Sequence, residues 1–241
     1  MTARNARIDL VPWDYDSSEH VERMYLQRLA CGWRSEEVRE KWTGLGRQGH
    51  KTLYWVVIRD DVSEREKVIS QHIAHNPKES TPIHDTAPTH WHQPRTPSGH
   101  PIHPIGHISL DLRAEQNAAL NLIDEGIVWV AGLFISHTLQ AGGFGREVMQ
   151  RAELIAAQPP LNGKWIVLDT MRREQQMSSG FIQKMYLAHG RAAPTVATQD
   201  WYERQGYRVF SVEKAGYKWV NPETGERVDI DYLFLKKRLQ E

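Results

Sequence analysis

The most informative segment of the sequence is LFISHTLQAGGFGR, at residues 133–146. It overlaps a near-continuous apolar run, 127–136, which is typical of a central strand buried on both faces. A glycine-rich segment, 142–145, ends this run, and apolar residues recur at every third or fourth position beyond it. This order predicts a buried strand, a tight turn and an amphipathic helix that ends before the proline pair at 159–160.

The glycine-rich turn is a candidate phosphate site. Glycines let the main chain approach a ligand closely, and the first N–H groups of the helix meet that ligand with the positive end of the helix dipole. No lysine followed by serine or threonine comes after the last glycine, and the spacing is G-G-x-G rather than G-x-G-x-x-G, so the P-loop and Rossmann motifs are excluded. The turn predicts a pyrophosphate cradle made mostly of main chain, with a simple tight connection at Gly142 and Gly143 as the alternative.

The spacing of one glutamine and two glycines in this turn matches a known family. Gln140, Gly143 and Gly145 form the pattern Gln-x-x-Gly-x-Gly, which resembles the signature of the GNAT acyltransferase superfamily. In that superfamily the turn holds the pyrophosphate of acetyl-CoA. The resemblance therefore implies acetyl-CoA as the co-substrate of this protein.

A second block of sequence supports the resemblance. Tyr202, Gly206 and Tyr207 match the superfamily's helix-to-strand junction, which is written as tyrosine, three residues, glycine and an aromatic residue. A helix and the strand predicted at Trp165–Met171 separate the two blocks, as the fold of the superfamily requires. The resemblance covers residues 105–238 closely and the N-terminal strand and helices less closely.

The resemblance implies an α+β fold of the GNAT type, in which helices flank a mixed, mostly antiparallel sheet. The 241 residues fit a single N-acetyltransferase domain, 1–241, that carries two insertions. The first, at about 75–104, is rich in histidine and proline and has no period, which indicates a long loop or a disordered insertion over the sheet edge or the acceptor cleft. The second, at about 172–194, is milder and is expected to hold a short helix around 181–187.

By resemblance, the main chain before the turn binds the pantetheine arm and the thioester, while the side chains of Leu133, Phe134 and Ile135 form core. Thr195 stands where many relatives have asparagine, and either Thr195 or Thr198 is expected to contact the cofactor through its hydroxyl group. The residues expected to bind acetyl-CoA are Leu133, Phe134, Ile135, Gln140, Ala141, Gly142, Gly143, Phe144, Gly145, Arg146 and Thr198.

Tyr202 is the candidate catalytic acid. Acyl transfer from a thioester to an amine is helped by a proton donor for the departing thiolate. An unperturbed phenol has a pKa of about 10, so Tyr202 stays protonated at neutral pH and can donate that proton. The alternative is a structural role, in which Tyr202 is a helical residue packed against the sheet.

The base that takes the proton from the amine is left open by the sequence. Histone-acetylating relatives place a glutamate on the strand before the turn, and Trp129 stands at that position here. His137 follows the end of the strand and could titrate near neutrality. The candidates are Glu125, His137, Asp111, Asp169 and a chain of water molecules.

Composition limits the partners and the compartment. Lysine plus arginine and aspartate plus glutamate each total 30, so the chain lacks the cationic excess on which nucleic-acid binding depends. Cys31 is the only cysteine, which agrees with a reducing compartment. No apolar run is long enough to span a bilayer, and the first nine residues lack the apolar core of a signal peptide. We therefore expect a cytoplasmic protein with no nucleic-acid or membrane partner.

Histidines concentrate in the first insertion. Eight of them lie between His72 and His107, but they form no zinc-ligand spacing with a cysteine, and prolines surround them. A preformed metal cage is not expected from this pattern. We therefore expect no metal cofactor.

Together, these features predict an acetyl-CoA-dependent N-acetyltransferase in which a primary amine attacks the thioester directly. A small-molecule acceptor is favoured, because Trp129 and Trp201 near the expected site suggest a partly aromatic pocket and because the insertions would close a cleft. Two alternatives remain open. One is an acetyltransferase of protein N-termini or lysines, and the other is a non-catalytic module that binds acyl-CoA, which the missing strand glutamate favours.

Overall fold

The computed structural model describes residues 6–123, 126–220 and 225–239. Its strands are β1 (Ile8–Pro12), β2 (Lys51–Ile58), β3 (Ile83–His84), β4 (Thr89–His90), β5 (Gln93–Pro94), β6 (Pro101–Ile102), β7 (Gly106–Asp111), β8 (Ile127–Ile135), β9 (Trp165–Met171), β10 (Arg208–Val220) and β11 (Arg227–Arg238). Its α-helices are α1 (Ser18–Cys31), α2 (Thr43–Arg47), α3 (Arg65–His75), α4 (Ala114–Ala119), α5 (Phe144–Ala157), α6 (Arg173–Gln176), α7 (Ser179–Met185) and α8 (Thr198–Glu203). Shorter helical turns cover Val38–Trp42, Pro77–Glu79, His137–Leu139 and Leu187–His189.

One sheet of seven strands organises the molecule, in the order β1-β2-β7-β8-β9-β11-β10. Every neighbouring pair is antiparallel except β8 and β9, which run parallel. A parallel pair needs a crossover connection, and α5 provides it between these two strands. The sheet is therefore mixed and mostly antiparallel, which confirms the predicted fold class.

Strand β2 shows how the sheet separates two cores. Tyr54, Val56 and Ile58 pack in the cluster that includes α5, whereas Trp55 and Val57 pack in the cluster that includes α1. Alternate residues of a strand face opposite sides of the sheet, so both faces of β2 are buried. Helices consequently flank the sheet on both faces.

The two long flanking helices begin and end where the sequence provides caps. The Ser17 hydroxyl accepts the N–H of His20 at the start of α1, and Gly32 ends this helix in the left-handed region with a φ of 83°. Helix α5 begins directly after Gly143 and ends before the proline pair at 159–160. Within the described ranges, no helix combines the length and the apolar character needed to cross a membrane.

Strands β8 and β9 separate beyond their first four residue pairs. Their pairing runs from Ile127 opposite Trp165 to Val130 opposite Leu168. Both strands continue further, β8 to Ile135 and β9 to Met171, without pairing with each other. A wedge-shaped gap therefore opens in the middle of the sheet.

A β-bulge accompanies this separation. His107 and Ser109 of β7 pair with Phe134 and Ala131 of β8, so β8 carries one extra residue in this interval. Gly132 lies in the interval with a φ of 60°, a conformation that glycine adopts at little cost. The bulge bends β8 at the point where it leaves β9.

The histidine-rich first insertion is ordered and packed, which corrects the expectation of a structureless loop. It forms the small strand pairs β3–β6 and β4–β5. Trp91 is buried in the core and donates a hydrogen bond of 2.8 Å to the hydroxyl of Tyr54. Buried Asp85 accepts hydrogen bonds of 2.7 and 2.6 Å from Arg95. Tertiary contacts rather than a local period hold this segment, so the pattern of the sequence does not reveal them.

Other elements differ from their predicted bounds. Helix α7 confirms the short helix that was expected in the second insertion. The sequence predicts a helix at 195–205 and a strand at 207–213. Helix α8 covers Thr198–Glu203 only, and β10 extends to Val220. Helix α3 was not predicted, because its apolar positions are few and it borders the histidine-rich segment. Residues 35–38 predict the start of a helix in capping-box style. The structure instead has an irregular π-helical turn, Val38–Trp42, that leads into α2.

Candidate functional site

A cavity of about 1060 Å³ occupies the gap between β8 and β9. Residues 130–133 of β8 and residues 169–171 of β9 line it. Tyr202 joins the lining from the core that contains α5, and Trp42 joins it from the core that contains α1. The cavity therefore passes through the sheet and connects its two faces.

The main chain of β8 offers hydrogen-bonding groups to this cavity. After Val130, the groups of β8 that face β9 have no strand partner among the described residues, so they are free to bind an extended ligand. A Cβ added at Gly132 would lie 3.7 Å from the Trp42 ring and 3.8 Å from the Arg28 guanidinium. Of the three residues expected along the pantetheine arm, Leu133 lines the cavity, while the side chains of Phe134 and Ile135 are buried in the core as predicted.

The predicted turn links β8 to α5 through two left-handed residues. Ala141 has a φ of 65°, and Gly143, which caps α5, has a φ of 85°. Such a conformation at a non-glycine residue stores strain, and strained residues concentrate at ligand sites. The turn therefore has the sharp bend that a main-chain cradle requires.

The turn is open and its amides are unpaired. Residues 140–143 are exposed, and the amides of residues 143–146 donate to no acceptor within the described ranges. The positive end of a helix of 14 residues lies at this point, which favours a bound anion. The side chain of Arg146 is exposed, whereas that of Phe144 is buried in the core.

Helix α8 places the turn beside the cavity, although none of residues 140–146 lines the cavity itself. A Cβ added at Gly145 would lie 3.4 Å from the indole of Trp201. The next residue, Tyr202, lines the cavity. Helix α8 therefore contacts the candidate cradle through Trp201 and the cavity through Tyr202.

Arg7 lies beside the candidate cradle, and the sequence did not indicate it. Its Nη2 donates a hydrogen bond of 2.9 Å to the carbonyl oxygen of Gly142, and its guanidinium lies 4.4 Å from the centre of the Phe144 ring. Glu147 accepts hydrogen bonds from the Arg7 Nε, at 2.6 Å, and from the Arg7 main-chain N–H, at 3.0 Å. The structure thus adds a positive charge next to the unpaired amides.

Gln140 and His137 support the turn rather than the cavity. The Gln140 amide donates to the carbonyl oxygen of Ile135 at 3.1 Å and to the His137 Nδ1 at 3.2 Å. The His137 Nε2 lies 3.0 Å from the carbonyl oxygen of Ala30, so it carries the ring proton and donates it. Burial lowers the pKa of His137. Both ring nitrogens are occupied and the residue does not line the cavity, so His137 is removed as a candidate base.

Tyr202 combines the two roles considered for it. Its ring packs against Trp201 and Tyr207 at centroid distances of 4.8 and 5.7 Å, which is the structural role. Its hydroxyl has no hydrogen-bond partner among the residues that the structure describes, and the residue lines the cavity. Burial, with a smaller effect of Asp169, raises the pKa of Tyr202. Tyr202 therefore stays protonated and has a proton available.

Thr198 lies at the first position of α8 and lines the cavity. Gln176 holds it through two hydrogen bonds, in which the Gln176 Nε2 donates to the hydroxyl at 2.9 Å and the Thr198 N–H donates to Oε1 at 2.8 Å. The hydroxyl proton of Thr198 stays available to a ligand. Thr195 is exposed and does not line the cavity.

A chain of charges crosses the wall of the cavity from β2 to β9. The Lys51 ammonium donates to both carboxylate oxygens of Asp111 at 2.9 Å. Arg113 bonds Asp111 at 2.9 Å and reaches the carboxylate of Asp169 at 3.4 Å. Of these four side chains, the two at the Lys51 end are almost fully buried, and Asp169 is 25% exposed. All four line the cavity.

These contacts distinguish the remaining candidate bases by their ability to accept a proton. Burial would raise the pKa of Asp111, but Lys51 and Arg113 outweigh it and hold that pKa below its ordinary value, so Asp111 is a poor proton acceptor. Burial lowers the pKa of Lys51 despite the attraction of Asp111. Asp169 has one long contact with Arg113 and partial access to the cavity. Glu125 lies outside the described residues.

The aromatic residues of the cavity differ from those expected. Trp129 is fully buried, donates a hydrogen bond of 2.7 Å to Asn117 and does not line the cavity. Trp201 lies beside the turn instead. Trp33 and Trp42 line the cavity, and neither stands in a motif that would have pointed to it.

The first insertion takes no part in the cavity. No residue of 75–104 lines it, which corrects the expectation of a loop over the acceptor cleft. Within the described ranges, no group of three or more histidine, cysteine, aspartate or glutamate side chains is placed to hold a metal ion. Residues of the second insertion, Gln176 and Tyr186, do reach the cavity.

The chain has the fold of the GNAT acetyltransferases. Its structure is similar to that of a Desulfovibrio desulfuricans protein assigned to the GNAT family, at 11% identity, 97% and 99% coverage of the two chains and a TM-score of 0.51. It is similar to an aminoglycoside 6'-N-acetyltransferase complexed with coenzyme A, at 12% identity, 97% and 98% coverage and a TM-score of 0.51. It is also similar to RimL, a ribosomal L7/L12 alpha-N-protein acetyltransferase, at 10% identity, 98% and 96% coverage and a TM-score of 0.50.

The likeness is one of structure. No protein-family model matches the chain, and no curated protein sequence matches it at a significant level. The similar structures span nearly the whole of this chain.

Proposed function

We propose that this protein is an acetyl-CoA-dependent N-acetyltransferase that acts on the primary amine of a small molecule. The observation that carries the proposal is the set of unpaired amides at residues 143–146, which open onto a turn that adjoins a cavity through the sheet. A pyrophosphate on those amides and a pantetheine arm in the gap between β8 and β9 would place the thioester near Gly132. The similarity to a structure that contains coenzyme A supports this arrangement.

The chemistry follows from the side chains that line the cavity. The amine nitrogen attacks the thioester carbonyl carbon, the carbon–sulfur bond breaks, and an amide and a free thiol result. Asp169 takes the proton that the amine loses, directly or through water, since it is the partly exposed carboxylate of the charge chain. Tyr202 gives its proton to the departing sulfur and regains one from solvent.

The size of the cavity supports a small acceptor. Ligand sites for small molecules measure about 300–1,000 Å³. A cavity of about 1060 Å³ has room for a pantetheine arm and a small amine together. The similar structures include one named for an aminoglycoside and one named for a ribosomal protein, so the fold itself selects neither class.

The test is acceptor-dependent release of free thiol from acetyl-CoA, measured beside the affinity for acetyl-CoA. We expect micromolar binding and turnover with at least one member of a panel of small amines. Binding without turnover on small amines, N-terminal peptides and lysine peptides would instead identify a non-catalytic acyl-CoA-binding module.

The cradle is tested by a matched pair of variants, Gly143→Glu and Gly143→Gln. Both introduce a side chain of the same size at a φ of 85°, so both carry the same backbone cost of about 1–2 kcal/mol. Only the glutamate adds a negative charge against the phosphates. We expect Gly143→Glu to bind acetyl-CoA at least about tenfold more weakly than Gly143→Gln, and equal affinities would place the pyrophosphate elsewhere.

A further inference from the structure

Among the residues that the structure describes, Arg28 is the cation of the cavity wall without a carboxylate partner. Three other cations line the cavity, and each forms an ion pair there. Lys51 pairs with Asp111, and Arg34 pairs with Glu37. Arg113 pairs with both Asp111 and Asp169. Arg28 forms no ion pair with any carboxylate of the described residues, yet it is only 4% exposed. A buried cation without a counter-charge is costly unless a ligand provides one.

The hydrogen bonds of Arg28 leave most of its donors free. Its Nε donates to the carbonyl oxygen of Trp33 at 2.8 Å, and its Nη1 reaches the His107 Nε2 at 3.5 Å. A guanidinium has five N–H donors, so three have no acceptor in the part of the chain that the structure describes. Trp42 lies under the guanidinium at 5.2 Å and covers a face without accepting any of these protons.

The groups around Arg28 keep its charge uncompensated. The His107 Nδ1 lies 2.8 Å from the Gln27 side-chain oxygen and therefore carries the ring proton, which leaves Nε2 as the acceptor for Arg28. Burial, together with Arg28 and Lys51, lowers the pKa of His107 well below its ordinary value, so the ring is neutral. The contacts of Arg28 are thus a carbonyl, a neutral imidazole and an aromatic ring.

From this geometry we infer that the acceptor carries a carboxylate as well as an amine and that Arg28 binds the carboxylate. The inference rests on the proposed acetyl transfer and names its substrate class, an amino acid or another amino carboxylate. A guanidinium that presents several donors suits a carboxylate, which accepts two parallel hydrogen bonds. Asp169, on the opposite strand of the gap, is left to receive the ammonium end of the same molecule.

The wild-type protein can test the substrate class without any substitution. Thiol release from acetyl-CoA is measured with pairs of amines of equal length, such as 3-aminopropanoate and propylamine, or 5-aminopentanoate and pentylamine, and with common α-amino acids. We expect kcat/KM to be at least about tenfold higher for the best amino carboxylate than for its neutral counterpart. Turnover that is equal or faster with the neutral amines would overturn the inference while leaving the acetyltransferase proposal in place.

Substitution of Arg28 then locates the carboxylate. Arg28→Gln should lower kcat/KM for amino carboxylates at least about tenfold and change it less than about threefold for neutral amines. Arg28→Lys, which keeps the charge, should retain part of the preference. An equal loss on both classes would assign the guanidinium to the thioester rather than to the acceptor.

Arg191 supplies the matched control. Its guanidinium also binds carbonyl oxygens at the end of α1, those of Ala30 at 3.0 Å and Cys31 at 3.4 Å, but it does not line the cavity. Arg191→Gln should leave the preference for amino carboxylates unchanged. Absence of thiol release with every amine, despite bound acetyl-CoA, would defeat the proposed function itself and is thereby distinguished from failure of this inference.

Discussion

Arg7 donates a hydrogen bond to the carbonyl oxygen of Gly142, although the two residues lie 135 positions apart in the sequence. The contact fixes the N-terminal segment against the turn that we assign to the pyrophosphate. It also brings a guanidinium that is 41% exposed to the edge of the unpaired amides. The cradle is therefore built from two distant parts of the chain.

Arg7 and Glu147 should have opposite effects on cofactor affinity. Arg7→Gln removes a cation beside the phosphates, and we expect the affinity for acetyl-CoA to fall about five- to tenfold. Glu147→Gln breaks the same ion pair but removes an anion, so we expect unchanged or tighter binding. Titration calorimetry of both variants measures the difference, and equal losses would mean that the ion pair acts only by holding the turn.

Tyr202→Phe should slow turnover with little effect on binding. The hydroxyl has no partner among the described residues, so its removal leaves no protein group unsatisfied, and stability should hardly change. We expect kcat to fall about a hundredfold or more while the Kd of acetyl-CoA stays within about twofold. Wild-type turnover in this variant would remove Tyr202 from the mechanism.

Tyr207→Phe is the control for that substitution. Tyr207 lies at the same helix-to-strand junction and its hydroxyl donates to Glu153 at 2.9 Å, away from the residues that line the cavity. The chemical change is the same, but the hydroxyl of Tyr207 is bonded to Glu153 and does not line the cavity. We expect wild-type kcat in Tyr207→Phe, with any effect confined to stability.

Asp111→Asn should destabilise the fold strongly. The substitution leaves the buried Lys51 ammonium without its carboxylate and weakens the hold on Arg113. Removal of one partner of a buried ion pair costs about 3–5 kcal/mol in the free energy of unfolding. Urea denaturation measures this loss, and the double variant Lys51→Met with Asp111→Leu should recover most of it because no unpaired charge remains. A loss below about 1 kcal/mol in the single variant would contradict the buried pair.

Stability should fall on mild acidification because of His107. Burial and then the nearby cations Arg28 and Lys51 hold the pKa of His107 well below 6.5 in the folded state. Below about pH 6.5, His107 is therefore protonated in the unfolded chain while it stays neutral in the folded chain. The free energy of unfolding then drops by up to about 1.4 kcal/mol per pH unit. The contribution of neutral His107 to stability is fully present above pH 6.5. It is lost as the pH falls from there through the lower pKa that His107 has in the folded state.

Urea denaturation between pH 7.5 and 5 measures the effect. His107→Gln should flatten this dependence without abolishing it, since burial also lowers the pKa of His20. A slope that does not change in His107→Gln would show that other groups control the acid sensitivity.

The parts of the site that the sequence predicted are those in which one continuous segment forms the feature. The turn at Gly143 and the junction at Tyr202 depend on local spacing, and the strand before the turn is marked by its apolar run. Arg7 and Arg28 could not be predicted, because each meets the site through contacts across more than 75 residues. Their roles depend on which strands become neighbours.

Wrong expectations arose where tertiary contacts outweigh local pattern. The first insertion has no hydrophobic period, yet Trp91 and the Asp85–Arg95 pair fix it to the domain. His137 stood next to the expected site in sequence, but the carbonyl of Ala30 and the amide of Gln140 occupy its ring. Proximity along the chain did not translate into access to the cavity.

The bulge at Gly132 also changes which side chains of β8 point toward α5. Val128 and Val130 pack toward α5, and beyond the bulge Leu133 and Ile135 do so as well, so the inward positions switch from even to odd numbers. If β8 kept Gly132 but alternated strictly without the bulge, Phe134 would face α5 in place of its neighbours. A single glycine thus keeps the second half of the strand in phase with the interior while it frees the main chain for a ligand.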